Sequence, residues 1–201
     1  MGSATQVLVT EHQAIRRMLG VLDRLCEQAA AGDPDGHAER AGQILEFLQG
    51  FADRCHHGKE EQHLFPALVR QGMSSESGPV AVMLAEHRQG RDLIAAMAST
   101  QAAWAGGDQA AGARFSAAAT AYQSLLDAHI EKENNVLFVM ADRLLDPAAQ
   151  DTLVEQFERF EEQVMGAGRH AALHAMMDTL LAGYPPPQEK PGSAEKPGSA
   201  Q

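Results

Sequence analysis

Apolar residues recur at helical spacing along most of the chain, in five stretches separated by breakers. The first predicted helix runs from about Thr5 to Ala30, with Leu8, Ile15, Leu19 and Leu22 on one face, and stops at Ala31-Gly32-Asp33-Pro34. The second runs from about Asp35 to Gln71 and stops at Gly72. The third begins after Gly78-Pro79, where proline suits a first helical turn, and ends at Gly106-Gly107. The fourth opens at Asp108, a side chain suited to an N-cap, and ends near Leu145, before Asp146-Pro147. The fifth, Ala148 to Ala182, is interrupted by Gly166 and Gly168. Pro66 lies inside the second helix and deletes a backbone hydrogen bond there, which predicts a kink. Short connections make successive long helices antiparallel neighbours. The expected fold is therefore all-α, an up-down-up-down four-helix bundle with an additional C-terminal helical segment, occupying residues 1–183. From Tyr184 onward the chain turns to Pro185-Pro186-Pro187 and a doubled Glu-Lys-Pro-Gly-Ser-Ala unit, so residues 184–201 are predicted to be a low-complexity, disordered tail.

Composition supports helices over strands: alanine, leucine, glutamine and glutamate are plentiful and aromatics scarce. The formal net charge of −11 argues against nucleic acid or an anionic membrane as partner, since both select a basic face. No uninterrupted apolar run approaches the roughly 20 residues of a membrane span, and the N-terminus lacks the charged-then-apolar order of a secretory signal. Two cysteines, Cys26 and Cys55, are too few for a disulfide framework, so a cytoplasmic location is expected. The oligomeric state is left open.

Polar residues interrupt the apolar stripes in a pattern that occurs twice. Glu11-His12 followed by His56-x-x-x-Glu60 matches Glu86-His87 followed by His129-x-x-x-Glu133. The lone histidines are 75 residues apart and the His-x-x-x-Glu pairs 73 apart, so the two halves run in near register. Each lone histidine has arginine four residues on (Arg16, Arg91), and each pair is followed by Leu-Phe (Leu64-Phe65, Leu137-Phe138). His56 and Glu60 share a stripe with Leu45, Leu48, Ala52, Leu64 and Leu68, and His129 and Glu133 share one with Tyr122, Leu125, Val136, Leu137 and Met140. His12 aligns with Leu8, Ile15 and Leu19, and His87 with Val80, Met83 and Ile94. The starts of odd helices and the ends of even helices meet at one end of an antiparallel bundle, so all six side chains can reach a common layer. Inward-facing glutamates are rarely tolerated unless paired or coordinating a metal. Candidate metal ligands are therefore His12, His56, Glu60, His87, His129 and Glu133. Four imidazoles and two carboxylates suit a pair of iron-like ions, bridged by solvent oxygen, with manganese and zinc ranked behind.

Other residues bear on the same layer. His57 and Glu61 form a second His-x-x-x-Glu pair offset by one residue, but their counterparts are Ile130 and Asn134, which favours His56/Glu60 and leaves His57 and Glu61 peripheral. Cys55 adjoins His56, yet neighbouring helical residues point about 100° apart, which disfavours a thiolate ligand. Tyr122 lies two turns before His129 on its stripe and is a candidate phenol near the metals, and His63 follows His56 by seven residues. Glu11 and Glu86 could accept from ligand imidazoles, and Arg16 and Arg91 could balance the carboxylates. His170-x-x-x-His174 has ligand spacing but no partner motif, which predicts structural or surface histidines.

Glu11-His12, the run from Cys55 to Glu61 with Leu64-Phe65-Pro66, Glu86-His87, and His129 to Asn134 with Leu137-Phe138 together resemble the hemerythrin-like, or HHE cation-binding, domain. The resemblance covers about residues 5–145. It implies a four-helix bundle with a non-heme di-iron centre, and it implies the same six ligands. Oxygen-carrying hemerythrins have a second histidine one turn after the third-helix histidine and a fourth-helix His-x-x-x-x-Asp; here those places hold Arg91 and His129-x-x-x-Glu133. The chain is thus more similar to the bacterial and iron-sensing branch. The expected function is binding or sensing of O2, NO or iron rather than simple O2 carriage, with a small diatomic or peroxide as ligand. The alternatives are a di-iron enzyme that decomposes peroxide or acts as an oxidase, and a metal-free helical interaction module. Which residues would be catalytic is left unassigned.

Overall fold

The computed structural model describes residues 1–31 and 36–185. Six helices are formed among them: α1 (Ser3–Ala30), α2 (residues 37–70), α3 (Gly78–Ala105), α4 (residues 109–144), α5 (Pro147–Met165) and α6 (Arg169–Gly183). No strand occurs among the described residues. α1 packs on α2 and α4, and α3 packs on the same two helices, which closes the four-helix ring. α5 and α6 then cover the outer side of α1 and α2. The expected C-terminal segment is therefore two helices. The chain reverses between them through Gly166 and Gly168, both in the positive-φ region (74° and 78°) that side chains other than glycine rarely adopt. As expected, Asp108 caps α4, its carboxylate accepting from the Ala110 and Ala111 amides at 2.9 and 3.1 Å.

The interior consists of two apolar clusters with a polar layer between them. One is built around Leu8, Phe65, Leu68, Met83, Phe138 and Phe157. The other is built around Met18, Leu22, Phe47, Phe51, Met97 and Phe115. Burying each such large side chain contributes about 1.5–3 kcal/mol, so these clusters hold the fold while the layer between them carries groups that cost stability. Tyr184, which composition grouped with the tail, is fully buried in the second cluster. Its hydroxyl lies 2.9 Å from His37 Nδ1, and its carbonyl accepts from Arg24 Nε at 2.6 Å. The aromatic ring fills the space between α1, α2 and α6, so the bundle extends through residue 184. The remaining expected tail, residues 186–201, the predicted breaker from Gly32 to Pro34 and the expected helix start at Asp35 lie outside the described residues.

Candidate metal centre

The second and fourth helices widen where they carry their histidines and glutamates. In α2 the turns over Leu48–His57 and Glu60–Leu64 are π-helical, and in α4 so is the turn Glu133–Leu137. The Phe65 amide donates to the Glu60 carbonyl, and the Phe138 amide to the Glu133 carbonyl, each five residues back. The turns Glu60–Leu64 and Glu133–Leu137 start at equivalent glutamates in the two halves, and only the first is followed by proline. Pro66 is therefore not their cause; it sits at the start of the resumed α-helical segment, where its missing N–H is least needed. The consequence is local and chemical. Residues 55–60 are all buried, so adjacent His56 and His57 both reach the interior.

Two groups of donor atoms converge there, each within 4.8 Å: His12, His56, Glu60 and Glu133, and His57, Glu60, His87 and His129. All seven residues are at most 3 % exposed. Each glutamate lies between an imidazole of one half and an imidazole of the other. Glu60 is 3.7 Å from His56 Nε2 and 3.4 Å from His87 Nε2. Glu133 is 3.1 Å from His12 Nε2 and 3.3 Å from His129 Nε2.

Four imidazoles are held from behind through Nδ1. His56 Nδ1 lies 2.8 Å from Glu11 Oε2, and His129 Nδ1 lies 3.0 Å from Glu86 Oε2. His87 Nδ1 is 2.7 Å from Glu61 Oε1, and His12 Nδ1 is 2.9 Å from Asn134 Oδ1. The acceptors are equivalent between halves: Glu11 with Glu86, and Glu61 with Asn134. Behind Glu11 stands Lys59, bonded at 2.5 Å, and behind Glu86 stands Lys132. Phe65 stacks on His87 as Phe138 stacks on His12. With Nδ1–H donated outward, each Nε2 presents a lone pair inward, the tautomer a metal ligand requires.

The inner atoms lack hydrogen-bond partners outside the layer; His57 Nδ1 has Asp53 Oδ1 at 3.6 Å, beyond hydrogen-bond reach. His12 Nε2, His56 Nε2, both nitrogens of His57 and both oxygens of Glu60 and Glu133 are buried and outside hydrogen-bond geometry. His87 Nε2 and His129 Nε2 are 3.2 Å apart, two acceptors facing each other once both Nδ1 atoms donate. Burial and the neighbouring Glu133 charge push the Glu60 carboxyl well above its ordinary range. Burial acts the same way on Glu133, but the charges of His129 and His12 outweigh it and hold that carboxyl low. Burial lowers the His56 imidazole to about 4 against the opposing pull of Glu11, and lowers His57 well below its usual value. An unpaired buried ion costs several kcal/mol, against a net stability of about 5–15 kcal/mol for a whole domain. A layer of buried imidazoles and adjoining carboxylates is balanced when cations sit among them, and the donor set fits a borderline transition metal.

The six candidate ligands named from the sequence all lie in this layer, and His57 lies there with them. The sequence treated His56 and His57 as competing choices; the π-helical turns bring both in. Glu61 stands outside, on His87. Glu11 and Glu86 do accept from imidazoles of the layer, those of His56 and His129. Arg91 pairs with Asp53 at 2.7 Å and Glu61 at 2.8 Å, and Arg16 pairs with Glu131 at the surface. His63 packs its ring on Phe160 and Phe157, outside both groups. Cys55 faces Glu161 rather than the centre, and burial pushes its thiol up to about 12. Tyr122 is fully buried with its hydroxyl unpartnered. Asn134, Lys59 and Lys132 were not singled out from the sequence, although the half-to-half alignment of Glu61 with Asn134 and Lys59 with Lys132 contained the signal.

A family model, the Hemerythrin HHE cation binding domain, matches residues 3–141. No match was found among curated proteins or among solved structures. The matched span contains both donor groups and runs through most of α4, and the chain belongs to the hemerythrin HHE cation-binding domain family.

Proposed function

We propose that this chain is a non-heme di-iron protein that binds or senses O2, NO or iron rather than simply carrying O2. Its ligands in this reading are His12, His56, Glu60, His87, His129 and Glu133, joined by His57. The observation that carries the reading is the position of Glu60 and Glu133, each between imidazoles of both halves with no hydrogen bond of its own. Two irons, when bound, supply a redox-active pair with room for a small ligand. The chain's own residues hold the tautomers through Nδ1, bring negative charge against each imidazole, and exclude bulk water with an apolar cluster on either side of the layer. A fifth imidazole comes from His57 on α2, ring-stacked 3.9 Å from His87, while the place on α3 one turn after His87 is taken by Arg91. That guanidinium is tied to Asp53 and Glu61 and adds a fixed positive charge behind His87. No helix among the described residues is long and apolar enough to cross a membrane.

Metal analysis with an absorption spectrum of protein purified in air tests this. About two irons per chain with oxo-bridge charge-transfer bands are expected; protein without metal after iron-replete expression would overturn the reading. A second reading, a peroxide-decomposing or oxidase-type enzyme, is favoured by the unpartnered Tyr122 hydroxyl. Sustained O2 release on adding peroxide, lost in Tyr122→Phe, would select it over binding and sensing.

A further inference from the structure

Between α1, α2, α5 and α6 lies a cavity of about 640 Å³, outside the metal layer and walled largely by apolar side chains such as Val7, Phe51, Phe157 and Met165. Its charged lining consists of Glu11, Glu158, Glu161 and Glu162 against Lys59. Lys59 is already bonded to Glu11 and Glu161, so the lining carries excess negative charge. His170 and His174 line the same cavity.

These histidines lie one turn apart on α6, with their Nε2 atoms 2.9 Å from each other. Glu161 of α5 reaches His170 Nδ1 at 2.9 Å. Phe51 fixes both rings, stacking on His170 at 5.6 Å and meeting His174 edge-on at 5.3 Å. The partner that the sequence motif lacked is therefore supplied by the preceding helix.

We infer that His170 and His174, with Glu161 behind them, form a second, accessible site for a borderline divalent transition metal such as zinc, separate from the buried centre. With the His170 Nδ1–H donated to Glu161, its Nε2 lone pair faces His174. Moving the His174 proton to Nδ1 frees the second Nε2, so two nitrogens take the ion with no net proton loss. Two imidazoles select zinc, copper(II), nickel(II) or iron(II) over magnesium or calcium. Solvent completes the coordination from the cavity. The carboxylate on Nδ1 raises ligand basicity, as Glu11 and Glu86 do for the buried imidazoles. Glu161 Oε2 also holds Lys59 Nζ at 2.6 Å, and Lys59 holds Glu11, so three hydrogen bonds join this site to His56.

The test is a calorimetric zinc titration of the iron-loaded full chain, with iron content and absorption spectrum recorded alongside. The wild type is expected to take up one further zinc per chain. Glu161→Gln should weaken that uptake by about 10–100-fold. His174→Gln and His170→Ala should abolish it, with iron content and spectrum unchanged. His63→Ala, at a partly buried histidine elsewhere, should leave it intact. No additional zinc in the wild type, or equal uptake in the His170→Ala/His174→Gln double variant, would overturn the inference.

Discussion

Replacing Glu11 with glutamine removes one charge while keeping the shape of the side chain. Glu11 is 8 % exposed and accepts from His56 and from the buried Lys59. Burial alone would raise its carboxyl; the hydrogen bonds and charges of His56 and Lys59 bring it from 4.5 down to about 2. At about 1.4 kcal/mol per pKa unit, that depression sets an upper bound of about 3 kcal/mol of native-state stability, because His56, itself lowered to about 4, carries no charge at pH 7. The sign follows from a folded value below the unfolded one: the contribution is fully present above pH 4.5 and is lost as pH falls through about 2. Glutamine keeps one acceptor oxygen, so we expect metal-free Glu11→Gln to lose about 1–3 kcal/mol in urea unfolding at pH 7, and the difference from wild type to shrink as the pH approaches 2. Iron affinity should fall about 10–100-fold, because His56 loses the carboxylate that fixes its tautomer. Glu86→Gln provides an internal control. Its partner Lys132 is 41 % exposed where Lys59 is 2 %, so the same chemistry stands in water and the stability loss should be smaller. Identical urea midpoints and identical iron affinities for wild type and Glu11→Gln would refute the reasoning.

Three further outcomes are expected. His57→Ala should lose iron and change the absorption spectrum, whereas His63→Ala should keep both; metal content by elemental analysis decides. Gly58→Ala places a Cβ 2.7 Å from the Phe160 ring, which should cost about 1–3 kcal/mol and loosen α5 from α2, read as a lower urea midpoint. Tyr122→Phe deletes a fully buried hydroxyl with no partner, so thermal stability of the metal-free protein should hold or rise by about 1 kcal/mol; a clear loss would mean that the hydroxyl has a partner in solution.

The helices were legible because apolar periodicity and breakers agree along the chain, and the observed bounds fall within a few residues of those expected. The convergence of His12, His56, Glu60, His87, His129 and Glu133 was legible because each lies on an apolar stripe. What periodicity could not supply was the local winding. A template of 3.6 residues per turn ranks His56 over His57 by its stripe, whereas the π-helical turns of α2 shift that register and both residues are buried. Lys59 was hidden for a different reason. Its own helix face does not require burial; α5 covers it from outside and brings Glu161, 102 residues away in sequence. Similarly, His170-x-x-x-His174 looked isolated because Glu161 is close only after the chain reverses at Gly166 and Gly168.

The cover formed by α5 and α6 has a kinetic consequence for a centre built by repetition. The group holding His12 and His56 is backed by Glu11 and Lys59 at 10 % and 2 % side-chain exposure. The group holding His87 and His129 is backed by Glu86 and Lys132 at 16 % and 41 %, and by Glu61 and Arg91 at 25 % and 38 %. In the proposed di-iron protein, duplication alone would make the two ions interchangeable. One-sided burial gives them different lifetimes: a chelator is expected to strip the His87/His129 position first and leave a long-lived half-loaded protein.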